Sequence, residues 1–277
     1  MTVCSGECRF FRFVMMFIAF LPTLVGHKRI LITFGPKKWG HATQIPLIES
    51  RLDVSKGEQT AWRGASVFGK GESMVEINFH VTAKVHSTAV LGSKTVVWAW
   101  TQLRENVVVG SETSIGQSCY LGPGVIVGAR CKIQNAALIY EPAVLADWVF
   151  VGPGAVLTND RFPRAVNLDG SIKGPGDWEP VGVRVGTGAS IGAHAVLIGP
   201  LTVGEWATIG AGAVVSSDVK PFALVVGNPG RQIGWVGHSG ARLTQKSSTW
   251  ICPITGEVYT DENGALTLNP SADLTEV

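Results

Sequence analysis

An aliphatic residue returns every six positions from Val85 to Leu157 without a miss: Val85, Leu91, Val97, Leu103, Val109, Ile115, Leu121, Val127, Ile133, Ile139, Leu145, Val151 and Leu157. With roughly a quarter of residues expected to be Val, Ile or Leu, such a run has a chance probability on the order of 10⁻⁸, so it records architecture. A second run opens in a new frame with Val185, Ile191, Leu197, Val203, Ile209 and Val215. The residue after the aliphatic one is Gly at 92, 110, 116, 122, 128, 152, 186, 192, 204 and 210, which is expected to permit a tight corner. Four residues after each aliphatic site the first run is small or β-branched throughout, from Ala89 and Thr95 through Cys119 and Cys131 to Ala155.

A period of six is neither helical nor plain alternation. It predicts a short strand followed by a corner, one aliphatic and one small residue pointing inward per side, and three sides to a coil. Coils stacked at ~4.8 Å share ladder hydrogen bonds. Each buries its apolar residues on its neighbours, so no coil is stable alone. Each buried aliphatic side chain contributes about 1.5–3 kcal/mol, and the column is expected over about residues 80–236.

Composition then excludes other classes. A net charge of +2 over 277 residues offers no field for a nucleic-acid backbone. Ten of the 34 glycines follow the aliphatic position, so the excess belongs to the repeat and not to a linker. Cys4, Cys8, Cys119, Cys131 and Cys252 are odd in number and form no CxxC pair, so neither a disulfide framework nor a zinc site is expected, and a reducing cytoplasm fits. Cys119 and Cys131 fall in the small inward slot and read as core fillers.

Residues 1–73 follow no repeat. The apolar stretch from Phe10 to Val25 is interrupted by Arg12, and its unbroken part is too short to span a bilayer. No small-x-small cleavage site follows it. A disordered leader, a membrane-surface anchor, a secretion signal and upstream sequence before a true start at Met74 all stay open, and no stable membrane insertion is expected. The domains are then a leader at 1–73, the column at 74–236 with a polar, Gly- and Pro-rich insertion at 158–184, and a tail at 237–277 expected to cover one end.

The repeat resembles that of the hexapeptide-repeat acyltransferases. The resemblance implies an all-β, left-handed parallel β-helix, a hand that opposes the usual crossover rule and does not follow from the period. The stretches VWAWTQLRE (97–105), IGQSCYLGPGV (115–125), KIQNAALIYE (132–141), VFVGPGAVLTNDRFPRAVN (149–167), VVGNPGRQIGW (225–235) and CPITGEVY (252–259) are similar to those of N-acetyltransferases that acylate the 3-amino group of nucleotide-linked sugars in surface-polysaccharide biosynthesis. Thr101, Gln102 and Ala136 depart from that pattern. The resemblance implies acetyl-CoA as co-substrate, no metal, a nucleotide-linked amino sugar as acceptor, and a homotrimer with sites between subunits.

Carried onto this sequence, it makes Asn135 and Glu141 the catalytic candidates. Asn135 would orient the amine and Glu141 accept its hydrogen bond, while a ladder Asn and a solvated corner carboxylate are the plain alternatives. Gln134, Tyr140, Asn159 and Arg161 are substrate-binding candidates. Gly210, Ala211 and Gly212 would let the pantetheine chain approach, with Lys220 and Arg231 meeting its phosphates.

The histidines argue for an amine acceptor. None lies between 87 and 193; His86 reads as structural, and His194 stands at a corner as a lesser catalytic candidate. A sugar hydroxyl needs a base to attack, whereas an amine with a pKa near the ~7.7–8.0 of an α-amino group is about a tenth neutral at pH 7. N-acetylation is therefore expected over O-acetylation of a sugar or small molecule. A zinc enzyme on this fold would need three coil histidines, and a non-catalytic assembly or ligand-binding module is the remaining alternative.

Overall fold

The computed structural model describes residues 62–67, 75–262 and 264–269. Among these every regular element is a strand, and no helix is long and apolar enough to cross a membrane. Two- and three-residue strands fall in rotation onto three sheets. The first face runs from Trp62–Val67 to Arg231–Trp235, the second from Lys84–Val85 to Val214–Val215, and the third from Val90–Leu91 to Leu201–Val203. Along the column neighbouring coils pair in parallel, Val97 beside Ile115 and Leu103 beside Leu121. This is the parallel β-helix expected from the repeat, in the left-handed form that the resemblance implies. Each coil has three corners: the first joins the first and second faces, the second joins the second and third, and the third leads to the next coil.

The aliphatic positions from Val97 onward are buried, while Val85 and Leu91, in the first coil, are partly so. The small slots carry a second ladder. Thr101 Oγ1 donates to Gly116 O at 2.6 Å and accepts the Cys119 N–H at 3.3 Å, and Cys119 Sγ donates to Gln134 O at 3.0 Å. Thr113 and Cys131 repeat the arrangement. Buried hydroxyls and thiols are tolerated because each finds a partner one coil on, and burial pushes the Cys119 thiol up to about 11.

The glycines serve differently from the expected role. The left-handed backbone of each corner comes two residues later, at Lys94, Trp100, Asn106, Glu112 and Ser118 among others, with φ between 57° and 62°. What glycine supplies is close approach. A β-carbon on Gly110 would stand 2.5 Å from the Ala129 backbone nitrogen, and one on Gly152 2.5 Å from that of Ala193.

The insertion is shorter than its expected bounds. Val183–Val185 already lies on the third face, with Leu145 beside Val185, so the excursion closes at residue 182. The second aliphatic run therefore completes the interrupted coil instead of opening a new one. Partners elsewhere are 18 residues apart, as Val127 and Leu145 are, and 40 apart here, which measures the excursion at 22 residues.

An antiparallel strand finishes the first face at each end, which protects edges that would otherwise invite pairing. Trp62–Val67 pairs with Val75–His80, and Ala223–Val226 with Arg231–Trp235. The first of these strands lies inside the expected leader, and Met74 falls between the two members of that pair. Phe10 to Val25 and the rest of the leader, 1–61 and 68–73, lie outside the described residues, as does Met74. The tail is a folded unit instead of a short extension: Thr244–Lys246, Thr249–Ile251, Val258–Glu262 and Ala265–Leu268 form an antiparallel sheet. Its Leu243, Cys252, Tyr259 and Leu266 join the core that contains Phe222 and Trp235.

Candidate functional site

Two side-chain oxygens among the described residues are buried with no hydrogen-bond partner, Glu141 Oε2 and Thr158 Oγ1. Both lie at the second corner, on consecutive coils, because Ile139 stacks on Leu157 and the next residues, Tyr140 and Thr158, begin the corner. The excursion leaves and returns at this edge. Its neck is closed by the Val181 N–H donating to Asn159 O at 2.8 Å, and Thr158 N–H is held by Leu197 O at 2.9 Å. Leaving a buried acceptor unmatched costs about 1–3 kcal/mol. Two on one edge make it the candidate site.

The coil below supplies the floor and one wall. Glu141 Oε2 occupies the space over Gly122 that a β-carbon would fill. Tyr120 and Tyr140 face each other with ring centroids 5.2 Å apart, and Arg104 Nη1 donates to the Tyr120 hydroxyl at 3.4 Å. Burial and then the Glu141 charge push the Tyr120 hydroxyl up, against the pull of Arg104, which keeps it a donor at neutral pH. Thr158, Tyr120 and Arg104 were not singled out from the sequence. The column of residues 104, 122, 140 and 158, spaced by one coil, was the signal that carried the first of these.

Asn135 lies at the first corner of the same coil. Its Oδ1 accepts the Gln117 N–H at 2.8 Å, so the expected ladder role is real, and its Nδ2 makes no hydrogen bond among the described residues. Within one chain the structure does not bring Asn135 and Glu141 together, since the strand Leu138–Ile139 separates them. Gln134 begins the Asn135 corner, and Tyr140 stands beside Glu141. Arg161 is exposed farther out on the excursion, its guanidinium 5.6 Å from the Phe162 ring centre.

The first corner also carries His194 and the glycine-rich turn. His194 is exposed at φ 55°, two coils beyond Asn135, and its ring fills the space over Gly154, where a β-carbon would meet it at 2.5 Å. One coil further, a β-carbon on Gly212 would meet only open space, whereas Gly210 packs under Val226. Val226 pairs with Arg231, which places Arg231 on the edge that carries Gly210, Ala211 and Gly212. Lys220 sits at the other end of Ala223–Val226, at the third corner beside Gly264, and does not join them. His86, in the first coil, bonds through Nδ1 to Thr88 Oγ1 at 2.9 Å. Among the described residues no three His, Cys, Asp or Glu side chains are grouped to hold a metal ion.

The family model for the hexapeptide repeat of succinyl-transferase matches residues 101–140 and 182–217, leaving out the excursion. The bifunctional protein GlmU of Synechococcus sp. (strain CC9605) is 30% identical over 196 residues, covering 66% of this chain and 40% of that protein. Serine acetyltransferase of Escherichia coli (strain K12) is 34% identical over 140 residues, 50% of this chain and 46% of that one. The dTDP-3-amino-3,6-dideoxy-alpha-D-galactopyranose 3-N-acetyltransferase of Aneurinibacillus thermoaerophilus is 40% identical over 65 residues, 24% of this chain and 34% of that one. The chain thus spans less than half the length of each of these relatives.

Proposed function

We propose, from the premise that this chain belongs to the hexapeptide-repeat acyltransferase superfamily, that it moves an acetyl group from acetyl-CoA to the amino group, at C3, of a nucleotide-linked sugar. The observation that carries the acceptor site is Glu141 Oε2, a buried acceptor with nothing to accept from, and the lack of any His between 87 and 193 favours an amine over a hydroxyl. An amine brings N–H donors to it. The short similarity to a sugar 3-N-acetyltransferase supports the acceptor class.

The co-substrate supplies an activated thioester. The neutral amine nitrogen attacks its carbonyl carbon, the C–N bond forms, the C–S bond breaks, and the departing sulfur, with a pKa near the ~8.5 of cysteine, takes the proton lost from nitrogen. Glu141 holds that N–H and fixes the direction of attack. Tyr120 and Tyr140 line the approach, with Asn159 and Arg161 meeting the sugar nucleotide at the excursion. On the first corner, Asn135 offers Nδ2 as a donor to the developing oxyanion, next to Gln134. The open turn at Gly210, Ala211 and Gly212 receives the pantetheine arm, and Arg231 a phosphate. Lys220 is assigned to a phosphate only across a subunit boundary.

These two half-sites lie on different corners of one coil, which supports a homotrimer: threefold packing lays the first corner of one copy against the second corner of the next. A reducing, cytoplasmic location fits Cys119, Cys131 and Cys252, all free thiols. The test is release of free thiol from acetyl-CoA across nucleotide-linked 3-amino sugars, their 3-hydroxy counterparts and free serine. Turnover with the amino sugars is expected. Turnover with serine or hydroxy sugars alone would replace the reading with O-acetylation, and absence of both turnover and acetyl-CoA binding would leave a non-catalytic module.

A further inference from the structure

Asn135, Glu141 and Asp147 occupy one equivalent position at the three corners of a single coil, each two residues beyond a buried aliphatic: Ile133, Ile139 and Leu145. Each side chain drops onto a glycine of the coil below, Gly116, Gly122 and Gly128 respectively. At two of the corners the side chain also meets the backbone N–H that follows this glycine. At the first corner that nitrogen belongs to Gln117, which donates to Asn135 Oδ1 at 2.8 Å. At the third it belongs to Ala129, which donates to Asp147 Oδ1 at 2.7 Å. At the second corner the residue is Pro123, whose nitrogen carries no hydrogen. Glu141 Oε2 is the acceptor left without a partner.

We propose that Pro123 is a positioning residue for the reaction: by withholding the backbone donor that the same slot supplies at the other two corners, it keeps the Glu141 carboxylate free for a substrate N–H. This rests on the reading that Glu141 meets the acceptor amine. Proline is not required by the turn itself, since the matching positions hold Ser111, Gln117, Ala129, Asn135 and Ala193; the one recurrence in this slot after a glycine, Pro153 at the first corner, lies under Ala193, which has no side-chain acceptor to leave free. Nor does it supply the left-handed residue, which is Gly124 at φ 70°. The slot above Gly122 holds the longer Glu where its two sisters hold Asn and Asp, and its Oε2 rests over that glycine without a donor. A buried carboxylate oxygen in this state is costly to the free protein. The arrangement is explained when the missing bond arrives with the ligand. The ionisable groups around it are Tyr120, Tyr140 and, through Tyr120, Arg104.

Pro123→Ala adds one N–H and little else. The new amide is expected to bond to Glu141, to show slow hydrogen exchange, and to compete with the substrate. The value of kcat/KM should fall about tenfold, mainly through KM for the acceptor. A purely structural proline would change the melting temperature and leave that KM in place. Pro123→Gly supplies the same N–H if alanine prevents folding. Glu141→Ala is measured alongside. Loss of turnover in Glu141→Ala together with unchanged kcat and KM in both Pro123 variants would overturn the role of Pro123 alone. Full turnover in Glu141→Ala would overturn the reading of Glu141, and the role of Pro123 with it.

Discussion

Asn135 and Glu141 fill the same slot of consecutive repeats, and the strand Leu138–Ile139 holds them at opposite ends of one side of the coil. Asn135 is half engaged in the fold, through its bond from Gln117, while Glu141 Oε2 has no hydrogen-bond partner. Their variants should therefore differ in kind. Glu141→Ala is expected to lower turnover about 10²-fold or more without loss of thermal stability, because an unmatched buried acceptor is removed. Asn135→Ala should lower both. Asp147→Ala, which loses the same ladder bond at the third corner, should lose about 1 kcal/mol of stability and keep its kcat. Melting curves and steady-state kinetics on the three variants check this.

If first and second corners from neighbouring copies complete one site, two damaged chains can repair each other. Mixing Asn135→Ala and Glu141→Ala chains during refolding should restore activity above either variant alone. With random assembly about a quarter of the interfaces are intact. A mixture no more active than its components would place each site within one chain.

Alanine in place of corner glycines should separate packing from chemistry. Gly110→Ala drives a β-carbon into the Ala129 backbone, 2.5 Å away, and should cost about 1–3 kcal/mol by forcing two coils apart. Gly122→Ala meets the Glu141 carboxylate first, the end of a side chain able to move. Its expected signature is loss of turnover with a smaller loss of stability.

Thr101 links two coils by donating to Gly116 O and accepting from Cys119 N–H. Thr101→Val keeps the volume and strands both partners in the core. A loss of about 1–3 kcal/mol in denaturant unfolding is expected, whereas Thr101→Ser should retain the bonds and lose only the methyl contribution.

The tail should loosen in acid. Burial alone would raise the Glu257 carboxyl, but bonds from His238, Tyr259 and Thr255 outweigh it and hold the group below its ordinary range. A carboxylate with a depressed folded-state value contributes stability above its unfolded value, and that contribution disappears as pH falls through the folded one. Hydrogen exchange in Val258–Glu262 should therefore accelerate below about pH 4.5 before the column responds. Glu257→Gln should remove that pH dependence.

The column was legible in the residues because it is a local rule applied many times. One aliphatic and one small side chain per side close a coil wherever they occur, so the order Val97, Leu103, Val109 already prescribes three faces and a parallel stack. The glycines were legible as necessary but not in their reason: closeness between Gly110 and Ala129 involves residues one coil apart, and no single repeat contains it. The frame change before Val185 likewise became a completed coil only once Leu145 was found beside it.

The site depends on what is stacked on what. Residue types alone could not tell that Asn135 is bonded from below and Glu141 is not, since both follow a buried aliphatic in the same slot. That difference is set by residues 18 positions earlier, Gln117 and Pro123, which come into register only when the coils stack and each backbone amide is either present or absent under its partner. The repeat specified the column, and the stacking decided which of its polar side chains are free to meet a ligand.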